Sequence, residues 1–294
     1  MKIANRNIFS TIKTEGGLIP SDLLEKLSVS DKSLEGLSLE SYHLNPNERI
    51  NEAVSRSWNR LITVWHSFRS SSESLPESDR GTTITRERWL LILFQELGYG
   101  RLETAKLSEV QGKQYPISHF WKNSPIHLVG FRIDIDKRTA GVAGAAKTSP
   151  HSLVQEFLNS SERFLWGFVS NGLQLRILRD NKSLTRQAYV EFDLASMMEG
   201  EIYSDFVILW LLCHQSRVES EKAEECWLER WSQLAKDQGT RALDNLRDGV
   251  ENTIKILGSG FLSHIANTPL RDKLRSGALS TQDYYRQLLR LVYR

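Results

Sequence analysis

Cysteine is scarce: Cys213 and Cys226 are the only two in 294 residues. Their separation fits no metal-ligand spacing, and each lies in an apolar helical context, so buried free thiols in a reducing compartment are expected. His119, His127 and His151 are scattered without a cysteine beside them, which argues against zinc. No apolar run approaches the ~20 residues of a membrane span, and the opening residues lack the apolar stretch of a signal peptide. The chain therefore reads as cytoplasmic, with no membrane partner. Neither sign of charge dominates, since 38 Lys and Arg face 36 Asp and Glu. Bulk charge does not announce a nucleic-acid binder, although local basic faces stay open. There is no internal repeat, no low-complexity tract and no Asn-Pro-Pro tripeptide.

What is present is the composition of a globular protein, 40% hydrophobic and 25% charged, with enough chain for one large domain or two smaller ones. Residues 1–84 read as a helical lead: a polar stretch to about residue 45, then one-faced helical spacing through Ile50, Val54, Trp58, Leu61, Trp65 and Phe68. A Ser-, Pro- and Gly-bearing loop is expected over 69–82. Residues 85–199 change character. A helix is expected from Thr85 as N-cap to Gly98, then short β-rich segments over 99–137. A helix over 150–159 follows, with Ser149 as its cap and Pro150 at its first position. The hairpin "FLWGFVSNGLQLRILRD" (164–180) and a strand in "QAYVEFDL" complete the segment. Residues 200–294 read as all helical. The last helix opens on the capping box "STQD" and runs apolar to Arg294 without a stop signal, so a longer protein is expected.

The order helix, three strands, helix, strand is that of the PD-(D/E)XK nuclease-like core. The expected fold class is thus α/β (α+β), a mixed sheet followed by a helical connector. An active member holds Mg²⁺ with an Asp on the second strand and an acid-x-Lys on the third. Here the second strand offers Ser118 and His119 instead of an acid. "RIDIDKR" supplies Asp134, Asp136 and Lys137. The two acids alternate by two and share a strand face, whereas Lys137 points the other way. This is either a divergent metal site or a strand end entering a charged turn. Lys147, in "GVAGAAKTS", precedes a helix N-terminus that could meet a DNA phosphate; the Gly-Lys-Ser/Thr ending of a phosphate loop is missing. Arg176 and Arg179 differ by three and face opposite sides of their strand. One can reach phosphate, or both can serve as edge charges that keep the sheet soluble. Trp227 and Trp231, at i and i+4, are expected in the core.

"SPHSLVQEFLN", "LWGFVSNGLQLRILRD", "YVEFDL", "LWLLCHQSR", "GTRALDNLRDGVENTIKILGSGFL" and "LSTQDYYRQLLRLVYR" together resemble the N-terminal region of large type IIG-like restriction–modification adenine-specific DNA methyltransferases. That family includes methylase subunits of bacterial phage-defence systems such as DISARM and BREX. The resemblance spans roughly 85–294 and implies a nuclease-like domain and a helical connector leading to an S-adenosylmethionine-binding domain. It further implies DNA and other defence subunits as partners, and places Gln155 where related folds aim a Gln at the site. The Gly-rich cofactor loop and the Asn-Pro-Pro-Tyr/Phe motif do not occur in this chain. The expected role is a non-catalytic module that engages DNA or partner subunits. An active Mg²⁺-dependent endonuclease and a protein-interaction scaffold without DNA contact are the alternatives. Calorimetric titration of this chain with S-adenosylmethionine should show no binding at micromolar cofactor; a saturable heat would contradict the reading.

Overall fold

The computed structural model describes residues 9–105, 108–110, 112–180 and 187–292. Chain order runs β1 (Ile12–Glu15), α1 (Ser21–Ser28), α2 (Ile50–Glu73), α3 (Thr82–Thr85), a π-helical turn (Arg86–Leu90) and α4 (Leu91–Glu96). Next come β2 (Glu103–Thr104), β3 (Ser108–Val110), β4 (Lys113–Tyr115), β5 (His119–Trp121), β6 (Ser124–Leu128) and α5 (Pro150–Ser160). Then follow β7 (Trp166–Ser170), β8 (Gln174–Arg179), β9 (Tyr189–Asp193), α6 (Leu194–Glu199) and α7 (Tyr203–Cys213). Last are α8 (Trp227–Ser263), α9 (Thr268–Arg275) and α10 (Thr281–Val292). Seven strands form one mixed sheet in the order β1-β9-β8-β7-β6-β5-β2, and β3 pairs with β4 alone. Its one parallel pair is β6 with β7, joined across α5; the other neighbours run antiparallel. Two compact units divide the chain, 1–235 and 236–294.

The hairpin folds as its sequence suggests. Asn171 Oδ1 accepts from the N–H groups of Leu173 and Gln174, an Asx-type turn that closes β7 onto β8. Gly172 follows at φ +85°, and a Cβ there would lie 2.6 Å from Thr85 Cγ2. Its carbonyl accepts from Trp89 Nε1 at 2.8 Å. Trp89 in turn packs against Trp65 and Phe68 of α2. One tight turn thus joins the sheet to two helical layers. Ser149 caps α5 by accepting from the Ser152 N–H, with Pro150 in the first turn, as expected. Ser280 Oγ accepts from the Asp283 N–H at the start of α10. Cys213 and Cys226 are buried and unpaired.

Four local readings are corrected. Thr85 is no N-cap: the helical segment starts at Thr82 behind left-handed Gly81, and the Thr85 hydroxyl donates back to the Gly81 carbonyl while accepting from the Phe131 N–H. α2 runs through Ser70, Ser71 and Ser72 to Glu73, because serine hydroxyls donate to carbonyls of the preceding turn and tolerate the helix. The polar lead contains β1, an edge strand on β9 that periodicity over four residues cannot reveal. It is fixed by buried Asp205, whose Oδ2 accepts from both the N–H and the hydroxyl of Thr11 at 2.9 and 2.7 Å. Finally, β6 stops at Leu128, so the expected strand through Asp136 does not form. Ile133 and Ile135 are both buried while their neighbours are polar, which imitates strand alternation. The backbone nevertheless turns: the Ile133 N–H donates to the Gly130 carbonyl, and the Asp136 N–H donates to Asp134 Oδ1.

The lead also shares the sheet's core. Phe9, Ile19, Leu24, Val54, Leu61 and Trp65 belong to the same buried cluster as Phe168, Ile177, Val190 and Trp210. Arg217, fully buried, donates to the Gly36 carbonyl at 2.7 Å and to that of Ser41, with its guanidinium 3.7 Å from the Tyr42 ring centroid. Trp231 is buried, as expected, and its Nε1 donates to the Glu35 carbonyl. Gly172→Ala should cost about 1–3 kcal/mol through the left-handed backbone and the clash with Thr85. Urea unfolding measures it, and a loss under about 0.5 kcal/mol would mean the turn relaxes without strain.

Candidate functional site

Alternation along β8 puts Arg176 and Arg179 on opposite faces of the sheet, as their spacing requires. On the α5 face, Arg176 is 3% exposed and stands directly across from Glu191 of β9. Its Nε donates to Glu191 Oε2 at 2.5 Å. Its terminal nitrogens grip Asp136 in a two-pronged pair, Nη1 to Oδ1 at 2.6 Å and Nη2 to Oδ2 at 2.7 Å. Nη1 also lies 3.1 Å from Nδ1 of His151, in the first turn of α5. The guanidinium sits 4.4 Å from the Tyr189 ring centroid, and Lys13 of β1 approaches the Tyr189 hydroxyl at 3.4 Å. An Arg fork suits this use because its planar donors match a carboxylate edge.

The electrostatics follow from burial and pairing. Burial works to lower the Arg176 pKa, but hydrogen bonds to Asp136 and Glu191 outweigh it and hold the cation charged above its ordinary value. The Arg176 hydrogen bond keeps Asp136 ionised below the usual carboxylate range. Burial first, then the Arg176 charge, pushes His151 down to about 4, so its imidazole is neutral. Arg176 has only N–H groups to offer, so Nδ1 of His151 is the acceptor and Nε2 carries the hydrogen. Nε2 is buried without a partner among the described residues.

On the opposite face, Arg179 makes a second two-pronged pair, Nε to Glu229 Oε2 at 2.7 Å and Nη2 to Oε1 at 2.8 Å. Trp166 Nε1 also donates to Glu229 Oε2. This clasp fixes the first turn of α8 onto β7 and β8. Both arginines are thus held by carboxylates of the fold, Arg176 buried and Arg179 partly exposed, where the sequence left phosphate contact and edge charge open. Gln155 is committed as well: its amide donates to Asn159 Oδ1 and to the Arg179 carbonyl, both at 2.9 Å. Lys147 is exposed in the turn before α5. It lines a surface hollow of about 260 Å³ together with Lys113, Gln114, Pro116, Gly144 and Leu153.

The acid pair does not form one site. Asp134 turns to Lys137, 2.8 Å away at i+3, whereas Asp136 turns to Arg176. The shared strand face read from the sequence does not exist, because the segment is a turn. Lys137 closes on an acid instead of pointing off a strand. Among the described residues no three His, Cys, Asp or Glu side chains gather as a cation site. The donors do not fit Mg²⁺ here: Asp136 is gripped by buried Arg176, while Asp134 turns away from it to Lys137 at the surface. β6 itself reads Ser-Pro-Ile-His-Leu, with neither acid nor lysine. Ser118, just before β5, uses its hydroxyl to accept from the Leu128 N–H at 2.8 Å. Arg86 donates to the Leu128 carbonyl from Nε at 2.9 Å. His119 and His127 are buried and each is pushed down to about 4, by desolvation first.

Glu191, Glu229 and His151 are the partners that sequence reading missed. A signal did exist for Glu191: one acid inside the apolar strand "YVEFDL" needs a cation, and "LQLRIL" carries one. Compared with known proteins, the chain matches no family model, no curated protein and no solved structure.

The buried imidazoles set an acid limit. In the unfolded chain they protonate near 6.5, while His119, His127 and His151 resist until about 4 and His214 until about 3. Folded values are depressed, so the stabilisation is full above 6.5 and is lost as pH falls toward 4. Each fully depressed imidazole contributes roughly 3 kcal/mol. The Asp136–Arg176 pair adds a smaller loss of the same sign at lower pH, Asp136 being half exposed. Urea midpoints should fall steadily between pH 6.5 and 4.5; a flat profile would refute neutral buried histidines.

Proposed function

We propose that the chain is a nuclease-like, non-catalytic module of a bacterial adenine-specific DNA methyltransferase in restriction–modification or phage defence, and that it engages DNA or partner subunits. One observation carries the reading. The helical stretch 82–96 leads into β2, β5 and β6, and α5 then crosses to β7, giving adjacent strands β2-β5-β6-β7 with only the last pair parallel. This succession of helix, three strands, helix and strand resembles that of the PD-(D/E)XK core and supports the nuclease-like reading. The non-catalytic part rests on chemistry. Cleavage needs two acids that hold one cation and a lysine that orients the attacking water beside it. Here β6 offers none of them, and Asp136 is bound up by Arg176.

DNA engagement rests on surface cations, because Arg176 and Arg179 are spent on Glu191, Asp136 and Glu229. Of the DNA-contact candidates read from the sequence, Lys147, before the N-terminus of α5, is the exposed one. Phosphate contacts of this kind give affinity without sequence choice and weaken with salt.

Fluorescence anisotropy with duplex DNA should show binding that weakens as salt rises, and Lys147→Ala should reduce the salt slope by about one. Plasmid with Mg²⁺ or Mn²⁺ should stay supercoiled. Salt-insensitive or absent DNA binding would favour a scaffold without DNA contact. Metal-dependent nicking abolished by Asp136→Ala would make the chain an endonuclease.

A further inference from the structure

Residues 236–294 hold ten Lys and Arg against six Asp and Glu, so this unit is basic although the whole chain is nearly neutral. It is also short of interior. Among its described residues only Ile254 and Leu288 are buried hydrophobics, whereas Leu246, Ile256, Phe261, Ile265, Tyr285 and Leu291 are exposed. Elsewhere in the chain only Val29, Tyr203 and Leu234 stand out in this way among the described residues. Scattered apolar residues on a surface need no explanation, but such a concentration does.

Two of these, Leu246 and Phe261, bound an apolar stripe whose middle is half-buried Val250 and Leu257 and buried Ile254. Leu246, Val250, Ile254, Leu257 and Phe261 recur at three- and four-residue intervals and lie along one face of α8. α10 packs beside that helix: the Tyr284 hydroxyl donates to the Gly258 carbonyl at 2.8 Å, and Leu288 approaches the same glycine. Between the two helices runs a groove of about 420 Å³ with Val250, Ile254, Tyr285 and Leu289 in its walls and Arg247 and Lys255 beside them. Glu251 also lines the groove and pairs with Lys255, whereas Arg247 makes no ion pair among the described residues.

We propose that this groove is a docking site for an acidic amphipathic helix of a partner protein, with apolar side chains entering between α8 and α10 and a carboxylate meeting Arg247. Charge complementarity selects this occupant. A second copy would bring one net-positive surface against another, which costs free energy. Nucleic acid would satisfy Arg247, but its phosphates leave Leu246, Val250 and Tyr285 in water. An acidic, apolar-faced helix answers both halves of the surface, in the manner of helix-in-groove recognition. The inference is independent of the DNA reading, which rests on Lys147 in the other unit.

The test uses the full chain and two labelled synthetic helices, one with leucine on one face and glutamate on the other, and its leucine–lysine counterpart. Anisotropy should show the glutamate helix binding about tenfold or more tightly than the lysine helix. Leu246→Ser and Tyr285→Ser, both at exposed positions, should each weaken it several-fold, and Arg247→Glu should narrow the preference between the two helices. Equal binding of both helices, or no effect of these substitutions, would overturn the proposal. So would sedimentation showing a dimer that Leu246→Ser dissolves, which assigns the face to a second copy. Displacement of the glutamate helix by duplex DNA with the same sensitivity to Tyr285→Ser would assign it to nucleic acid and overturn it equally.

Discussion

A cation inside a sheet has to be answered by charge and hydrogen bonds, and Arg176 meets two carboxylates and one neutral acceptor. Glu191 comes from the neighbouring strand, Asp136 from the turn after β6, and His151 from the start of α5. Removing Glu191 would leave part of a buried guanidinium unpaired, which typically costs about 3–5 kcal/mol, whereas the half-exposed Asp136 counts for less. The hub therefore holds three separate segments to one geometry. It also dictates the protonation of His151, which must stay neutral to accept from the arginine.

The same commitment limits chemistry. A carboxylate that grips an arginine with both oxygens has little left for a metal ion, and Asp134 is occupied by Lys137. On the other face, Arg179 and Glu229 repeat the arrangement to seat α8. Ionic groups that could have served nucleic acid or a cation instead hold the fold together. Outside these pairs, Lys147 lines a hollow in one unit, and Arg247 and Lys255 line a groove in the other.

How much of this was legible depends on the range of the signal. The Asn171–Gly172 hairpin, the Ser149–Pro150 helix start and the helical stripe of α2 are local, and each followed from turn chemistry, capping or periodicity. The run 131–137 misled for a physical reason. Ile133 and Ile135 are buried by different clusters along an irregular path, so alternation appeared without a strand. β1 was hidden because four residues carry too little pattern, and its docking depends on Asp205, 194 residues away from Thr11.

The sequence by itself determined the mixed α/β character, the crossover helix, the helical C-terminal portion and the opposite orientation of Arg176 and Arg179. All of these depend on periods, caps and spacings within a few residues. Only the tertiary structure decided which charges meet. Arg176 finds Asp136 across 40 positions and Arg179 finds Glu229 across 50, and no local pattern encodes such pairs. Whether an arginine faces solvent or a carboxylate depends on what the rest of the chain packs against it, and that changes a candidate phosphate contact into a structural ion pair.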